Sequence, residues 1–284
     1  MKYPDIPISP FSIPIIDWPV HWYGLTYLAA IGMAFMLLRI RARREEYKYW
    51  NMDKTVDLVF YGALGVILGG RIGYVLFYNF SEFIASPGVM FRIWDGGMSF
   101  HGGILGVAVA LWLYGRSQKK TFFEMTDYVV PVIAPGLGAG RLGNFINGEL
   151  WGKFTDWPTG MQLSCSIKDA AGNFKFSQPF CGGETTGWSK PVHPSQMYEF
   201  FLEGVVLFII VWWFSSKSRP RMAVSGLFLL GYGSFRFLIE FVRLPDAHIG
   251  YMAGWITRGH ILTLPMILLG AGLLILAYRR KEPQ

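Results

Sequence analysis

The chain is 284 residues long, 52% hydrophobic, 17% aromatic and 16% charged, with a formal net charge of +7. Its apolar residues run in long blocks and not in the interrupted stripes of a soluble domain, which excludes an ordinary globular enzyme and predicts an all-α polytopic membrane protein. The basic residues gather between those blocks, so their excess reads as a topology signal and not as a nucleic-acid footprint.

In chain order, Met1 to Val20 carries several prolines with Asp5 and Asp17, lacks a basic n-region and a small-residue cleavage site, and so does not read as a signal peptide. About seven transmembrane helices follow, at 21–40, 56–79, 98–115, 122–141, 196–214, 224–242 and 260–278. Basic clusters at 39–48, 116–120, 217–221 and 279–281 fall at every second loop. The positive-inside rule makes those ends cytoplasmic, which puts the N-terminus outside, in the periplasm, and the C-terminus in the cytoplasm. Of the external connections, Ser81 to Gly97 carries Phe83, Met90, Phe91 and Trp94 and suits a segment lying in the membrane interface. Lys153 to Val192, between the fourth and fifth spans, is polar, turn-rich and longer than an ordinary loop. It is expected to form a small external (periplasmic) cap, 153–192, inserted in a single transmembrane domain over residues 1–284. No internal repeat is evident, which counts against a transporter built from two related halves.

Given this topology, the intramembrane polar residues converge on one level in the external half. Tyr23 opens the first span, Arg71 sits in the outer part of the second, His101 begins the third, and Arg141, Asn144 and Asn147 end the fourth. Arg141 belongs to GRLGNFINGELWG, Gly140 to Gly152, which also supplies Glu149. An arginine at mid-membrane costs about 2.5 to 3.5 kcal/mol even on the lenient insertion scale, so it usually faces a cavity, a partner or a substrate. The bland alternative is an arginine that snorkels to lipid headgroups.

Tyr232, Arg236 and Glu240 are spaced by four on the sixth span and so share one helix face, where Glu240 can orient and partly neutralise Arg236. A purely structural ion pair is the competing reading. For His101 the alternative is an interhelical hydrogen bond, and the glycines of WDGGMSFHGG either permit close helix approach or admit a bulky headgroup. Arg71 is expected to have a structural or lipid-positioning role. In HPSQMYE, at His193 to Glu199, Ser195 reads as a helix N-cap and Glu199 as a first-turn acid. His21, His248 and His260 sit near helix ends and suggest interface anchoring. No spacing resembles a metal site, and two cysteines cannot make one alone. Arginines, a histidine and a carboxylate facing an apolar, externally open cavity suit a phosphate-bearing lipid, because the planar guanidinium holds phosphate oxygens bidentately.

Through HWYG at His21, GGRIGYVLFYNF at Gly69, DGGMSFHGG at Asp95, GRLGNFINGELWG at Gly140, HPSQMYE at His193 and GYGSFRFLIEFVR at Gly231, the chain resembles the bacterial prolipoprotein diacylglyceryltransferases over almost its whole length. The resemblance implies transfer of the diacylglyceryl group of phosphatidylglycerol to the lipobox cysteine thiol of preprolipoprotein signal peptides, the first step of bacterial lipoprotein maturation. It further implies phosphatidylglycerol binding by Arg141, essential contributions from His101, Tyr232 and Arg236, and important ones from Tyr23, Asn144, Glu149, Gly152 and Glu240. The expected catalytic set is therefore His101, Arg141, Arg236, Tyr232 and Glu240. Arg141, Arg236, Tyr23, Asn144, Glu149, Gly152 and Arg71 form the substrate-binding set. The expected location is the bacterial cytoplasmic (inner) membrane, with the site towards the periplasm and no nucleic-acid partner. The cap is where the match is weakest, so it contributes nothing on substrate selection.

That chemistry needs no cofactor. The thiol attacks the glycerol carbon next to the phosphate, and C–O cleavage releases a phosphate monoester whose second pKa is about 6, a leaving group that needs little protonation. The harder requirement is a thiolate, since a free thiol titrates at about 8.5. His101 is the expected base, with Tyr232 or a water as the rival. A lipid or small-anion transporter and a headgroup or acyl transferase are the competing classes; the first predicts access from both faces, the second an ester product. Finally, Cys165 and Cys181 are the only cysteines and both fall in the external cap, flanking Ala170 to Asn173, so a disulfide is expected over two free buried thiols.

Overall fold

The computed structural model describes residues 1–7, 9–13, 18–169, 172–176, 179–245, 252 and 254–281. A short antiparallel pair, β1 (Phe11–Ile13) and β2 (Trp18–Val20), precedes α1 (Trp22–Ala42). Then come α2 (Met52–Tyr78), the short α3 (Phe80–Ala85), α4 (Phe100–Ser117) and α5 (Phe122–Ile146). After residues 153–192, α6 (Ser195–Glu199) runs through a π-helical segment, Phe200–Val206, into α7 (Leu207–Phe214). The described chain closes with α8 (Ala223–Glu240) and α9 (Arg258–Arg280).

Among the described residues, six helical stretches are long and apolar enough to cross a membrane: Trp22–Ala42, Met52–Tyr78, Phe122–Ile146, Ser195–Phe214, Ala223–Glu240 and Arg258–Arg280. The protein is therefore an all-α, multi-pass membrane protein. The seventh predicted span, 98–115, falls on α4, which has only 18 residues and carries His101 at one end and Arg116 at the other. Those polar ends leave α4 outside the six.

The chain divides into two compact units, one comprising Met1–Ala30, Ile133–Trp213 and Gly226–Gly272, the other Ile31–Val132, Phe214–Ser225 and Leu273–Gln284. In the second unit α2 and α4 meet through glycines at helical spacing. A Cβ on Gly65 would stand 2.7 Å from the Gly106 carbonyl oxygen, and one on Gly73 2.7 Å from Gly102 Cα. Without side chains there the two backbones touch, the small-residue packing that serves where lipid removes the hydrophobic drive. This is the use the structure makes of Gly102 in the His101 motif. Elsewhere in the same unit Arg41 is fully buried, donating to Ser215 Oγ at 2.7 Å and facing the Tyr47 ring at 4.6 Å. Asp127 accepts the Met222 and Ser225 amides, each at 2.7 Å, at the start of α8.

In the first unit, Tyr3, Trp151, Leu163, Cys165, Phe176, Cys181 and Val192 form a buried core. Cys165 and Cys181 are joined there as a disulfide, S–S 2.07 Å. Tyr3 comes from the N-terminal segment and pairs its amide with the Gln162 carbonyl at 2.9 Å. Its hydroxyl reaches the Phe145 and Ile146 carbonyls, each at 2.8 Å, which ties this core to the end of α5. Asp169 and Asn173 close a turn between the cysteines, the Asp169 amide donating to the Asn173 carbonyl at 2.8 Å; Ala170 and Ala171 lie outside the described residues.

Candidate active site

The site in the first unit starts from two glycines. A Cβ on Gly204 would stand 2.7 Å from Gly138 Cα, so α5 and the π-helical segment come together closely. One turn beyond Gly138, Arg141 meets an acid at the end of α6 and one in that segment: its Nε is 3.3 Å from Glu199 Oε2 and its Nη2 is 3.4 Å from Glu203 Oε2. The π-helical winding displaces side chains from ordinary α-helical register, a geometry found frequently at functional sites.

Glu199 is the hub. Its Oε1 accepts from Arg236 Nη1 at 3.0 Å and from Arg243 Nη1 at 3.1 Å. Arg236 in turn holds Glu240, Nη2 to Oε2 at 2.7 Å, and the other oxygen of Glu240 accepts from the Thr257 hydroxyl at 2.6 Å. Three guanidinium groups thus face three carboxylates. Glu199 and Glu203 have fully buried side chains, whereas those of Arg141, Arg236 and Arg243 keep 18%, 15% and 13% exposure. The acids form a floor and the arginines are the face a ligand can reach. Tyr232 lies in the field of Arg141, Arg236, Glu199 and Glu203, with its ring stacked on Phe228 at 6.1 Å.

The remaining expected residues of this unit support α5 and its exit. Tyr23 packs against α5, since a Cβ on Gly143 would come 3.0 Å from its ring and 2.7 Å from Thr26 Oγ1. Its hydroxyl is 3.2 Å from that of Tyr27. Asn144 is buried, and its carbonyl accepts the Glu149 amide at 2.9 Å. Gly148, with φ +65°, ends the helix in the left-handed conformation that glycine adopts without strain. The carboxylate of Glu149 accepts from Asn147 Nδ2 at 3.3 Å, and its carbonyl accepts from Gln196 Nε2. Gly152 donates its amide to the His193 carbonyl at 2.8 Å, and a Cβ there would stand 2.7 Å from His193 Cβ. Outside the spans, burial lowers the pKa of Lys175, with Glu149, Asp5 and Asp169 pulling it the other way.

His101 and Arg71 belong to the second unit. His101 is exposed in the first turn of α4, whose N-cap, Ser99, accepts the Gly102 amide at 3.2 Å. Arg71 is buried, and backbone carbonyls take its donors: Met90 at 3.3 Å, Gly97 at 3.2 Å, and those of Val89 and Gly96.

Three expectations are corrected. Ser195 is not the N-cap of α6: Pro194 holds that position and the Ser195 hydroxyl donates to the Leu150 carbonyl at 2.6 Å. Glu199 is no first-turn capping acid, because a carboxylate removed from water needs cations and three arginines supply them. His260 is not an interface anchor: it is buried between Phe237 and Phe241, both 4.7 Å away, and its Nδ1 accepts the Thr257 amide at 3.2 Å. His248 lies outside the described residues. Glu199, given a capping role, and Glu203 and Arg243, not singled out, are the charged members that sequence reasoning did not place. The signal was available for the first two, spaced by four in an apolar helix, as Arg236 and Glu240 are.

With this geometry in hand, comparison with known proteins is specific. The family model described as prolipoprotein diacylglyceryl transferase matches residues 10–276. A Coxiella burnetii protein named phosphatidylglycerol--prolipoprotein diacylglyceryl transferase is 51% identical over 283 residues, covering 99% of both chains. A Methylococcus capsulatus protein of the same name matches equally well, at 51% over 283 residues and 99% of each chain. A third so named, from Pseudomonas paraeruginosa, is 48% identical over 285 residues, 100% of this chain and 98% of the relative. The family model and the likeness over the full length agree: the chain belongs to the prolipoprotein diacylglyceryl transferase family.

Proposed function

We propose that this protein transfers the diacylglyceryl group of phosphatidylglycerol to the lipobox cysteine of preprolipoprotein signal peptides. The single observation that carries the reading is the pair Arg141 and Arg236, each partly exposed and each backed by buried carboxylates. The lipid phosphate lies against these two guanidinium groups, which also stabilise the charge that grows on the departing oxygen. A C–S bond forms at the glycerol carbon, the C–O bond to phosphate breaks, its electron pair leaves with glycerol phosphate, and the thiol proton goes to a base. His101 is the proposed base; the arginines assist by favouring the thiolate. Tyr232 and Glu240 keep Arg141 and Arg236 in place. Arg71, expected among the substrate-binding residues, is read here as holding the 89–97 segment, because carbonyls already occupy its donors.

With α4 taken as a seventh crossing, the basic clusters favour a bacterial cytoplasmic membrane with a periplasmic N-terminus, a cytoplasmic C-terminus and a site opening to the periplasm, with 153–192 as a periplasmic cap. Both substrates are membrane components, and nucleic acid has no part. Incubation of the purified protein with phosphatidylglycerol and a lipobox peptide tests the reading. The peptide is expected to gain the mass of one diacylglyceryl group in a linkage that resists ester cleavage. A mild base-labile acyl product, or an unchanged peptide with lipid moved between leaflets, contradicts it.

A further inference from the structure

The three acids of the cluster are not equally held. Glu199 touches three arginines, and Glu240 has Arg236 at 2.7 Å and the Thr257 hydroxyl at 2.6 Å. Glu203 makes one cation contact among the described residues, a long one of 3.4 Å to Arg141 Nη2. Its second oxygen, Oε1, is buried with neither a hydrogen-bond nor an ion-pair partner there, whereas the Oε2 atoms of Glu199 and Glu240, which also lack a hydrogen bond, each lie against an arginine. The charged and titratable groups that face it are Arg141 from α5, Arg236 and Tyr232 from α8, and Glu199 one turn earlier on its own helix.

Three arginines against three carboxylates are balanced before lipid arrives. A phosphodiester adds one negative charge to a site with little water, where uncompensated charge is costly. The geometry points to Glu203 as the group that restores the balance: it takes a proton from solvent as the anionic headgroup binds, and so releases Arg141 to the phosphate. The bond formed is O–H on the Glu203 carboxylate, the proton comes from bulk buffer, and no electron transfer is involved. Glu203 is thus a positioning residue for Arg141, acting by exchange of its counter-ion role with the substrate. This rests on the reading that phosphatidylglycerol binds at Arg141.

Calorimetric titration of phosphatidylglycerol into the full-length protein in detergent, repeated in buffers of different ionisation enthalpy, counts the protons exchanged on binding. The wild type is expected to take up about one proton per lipid near neutral pH, and Glu203→Gln close to none. Lipid binding without proton uptake in the wild type, or undiminished uptake in Glu203→Gln, overturns the inference. Failure of the wild type to bind phosphatidylglycerol at all overturns the lipid-phosphate reading itself, and the inference with it. If Glu203→Gln does not fold, the wild type alone decides by difference infrared spectroscopy: a protonated-carboxyl band should grow as lipid is added, and its absence overturns the proposal.

Discussion

Arg141 and Arg236 in one unit and Arg71 in the other are all largely withdrawn from water, yet they are held by different chemistry. Carboxylates hold the first two, at 2.7 to 3.4 Å. Neutral backbone carbonyls between Val89 and Gly97 hold Arg71. An anionic partner can be exchanged for a phosphate with little change in the field the arginine feels. Carbonyls are part of the fold, and moving Arg71 away would strand several at once, each worth about 1 to 3 kcal/mol when left unsatisfied and buried. Under the proposed function, the comparison separates arginines offered to a substrate from one that serves the architecture.

The sharpest way to break that distinction is to keep the charge and remove the fork. Arg141→Lys is expected to lose about 100-fold in turnover, because a point charge cannot hold two phosphate oxygens in parallel, and about 3 kcal/mol is the worth of such a charged pair. A detergent assay with phosphatidylglycerol and a lipobox peptide measures it, and near-wild-type turnover would put Arg141 with Arg71. Glu199→Gln should cost about 3 kcal/mol of stability, since three arginines then lose their shared anion. Thermal unfolding in detergent reads this; an unchanged midpoint would mean that Glu199 is no hub. Arg71→Lys is expected to lose about 1 to 2 kcal/mol of stability, with the KM for lipid unchanged. A raised KM at unaltered stability would return Arg71 to the substrate-binding set.

A smaller effect concerns pH. Burial lowers the pKa of His193 below its ordinary 6.5, with Lys153 adding to the shift, and the neutral ring keeps Nδ1 3.1 Å from the Tyr198 hydroxyl. Because the unfolded chain binds this proton more readily than the folded one, stability is full above about 6.5 and falls as pH drops through that value towards the lower folded one. His193→Gln should flatten this acid slope in a melting-temperature series between about pH 7 and 5. The same slope in both proteins would clear His193 of the effect.

Much of this was legible in the sequence, for reasons that particular residues make plain. A charge in an apolar helix is conspicuous, so Arg141, Arg236 and Glu240 stood out, and spacing by four placed the last two on one face, where they do pair at 2.7 Å. The predicted spans fall on the observed helices because hydropathy is a local property. Glu199 was misread for the opposite reason: its surroundings in sequence, a proline and a serine just upstream, look like a helix start, while the arginines that claim it come from α5, α8 and the turn after α8. The contact of Gly152 with His193, and the place of Tyr3 beneath α5, join segments distant in sequence and leave no periodic trace. The π-helical segment was invisible too, since FFLEGVV has the composition of any apolar helix.

The most direct test of the central claim is phosphorus NMR of phosphatidylglycerol titrated into the wild type, Arg141→Lys and Arg71→Lys proteins. The account predicts a distinct bound-phosphate signal in the wild type, the same signal in Arg71→Lys, and its loss in Arg141→Lys. A bound signal that survives in Arg141→Lys, or that vanishes in a folded Arg71→Lys, would contradict it.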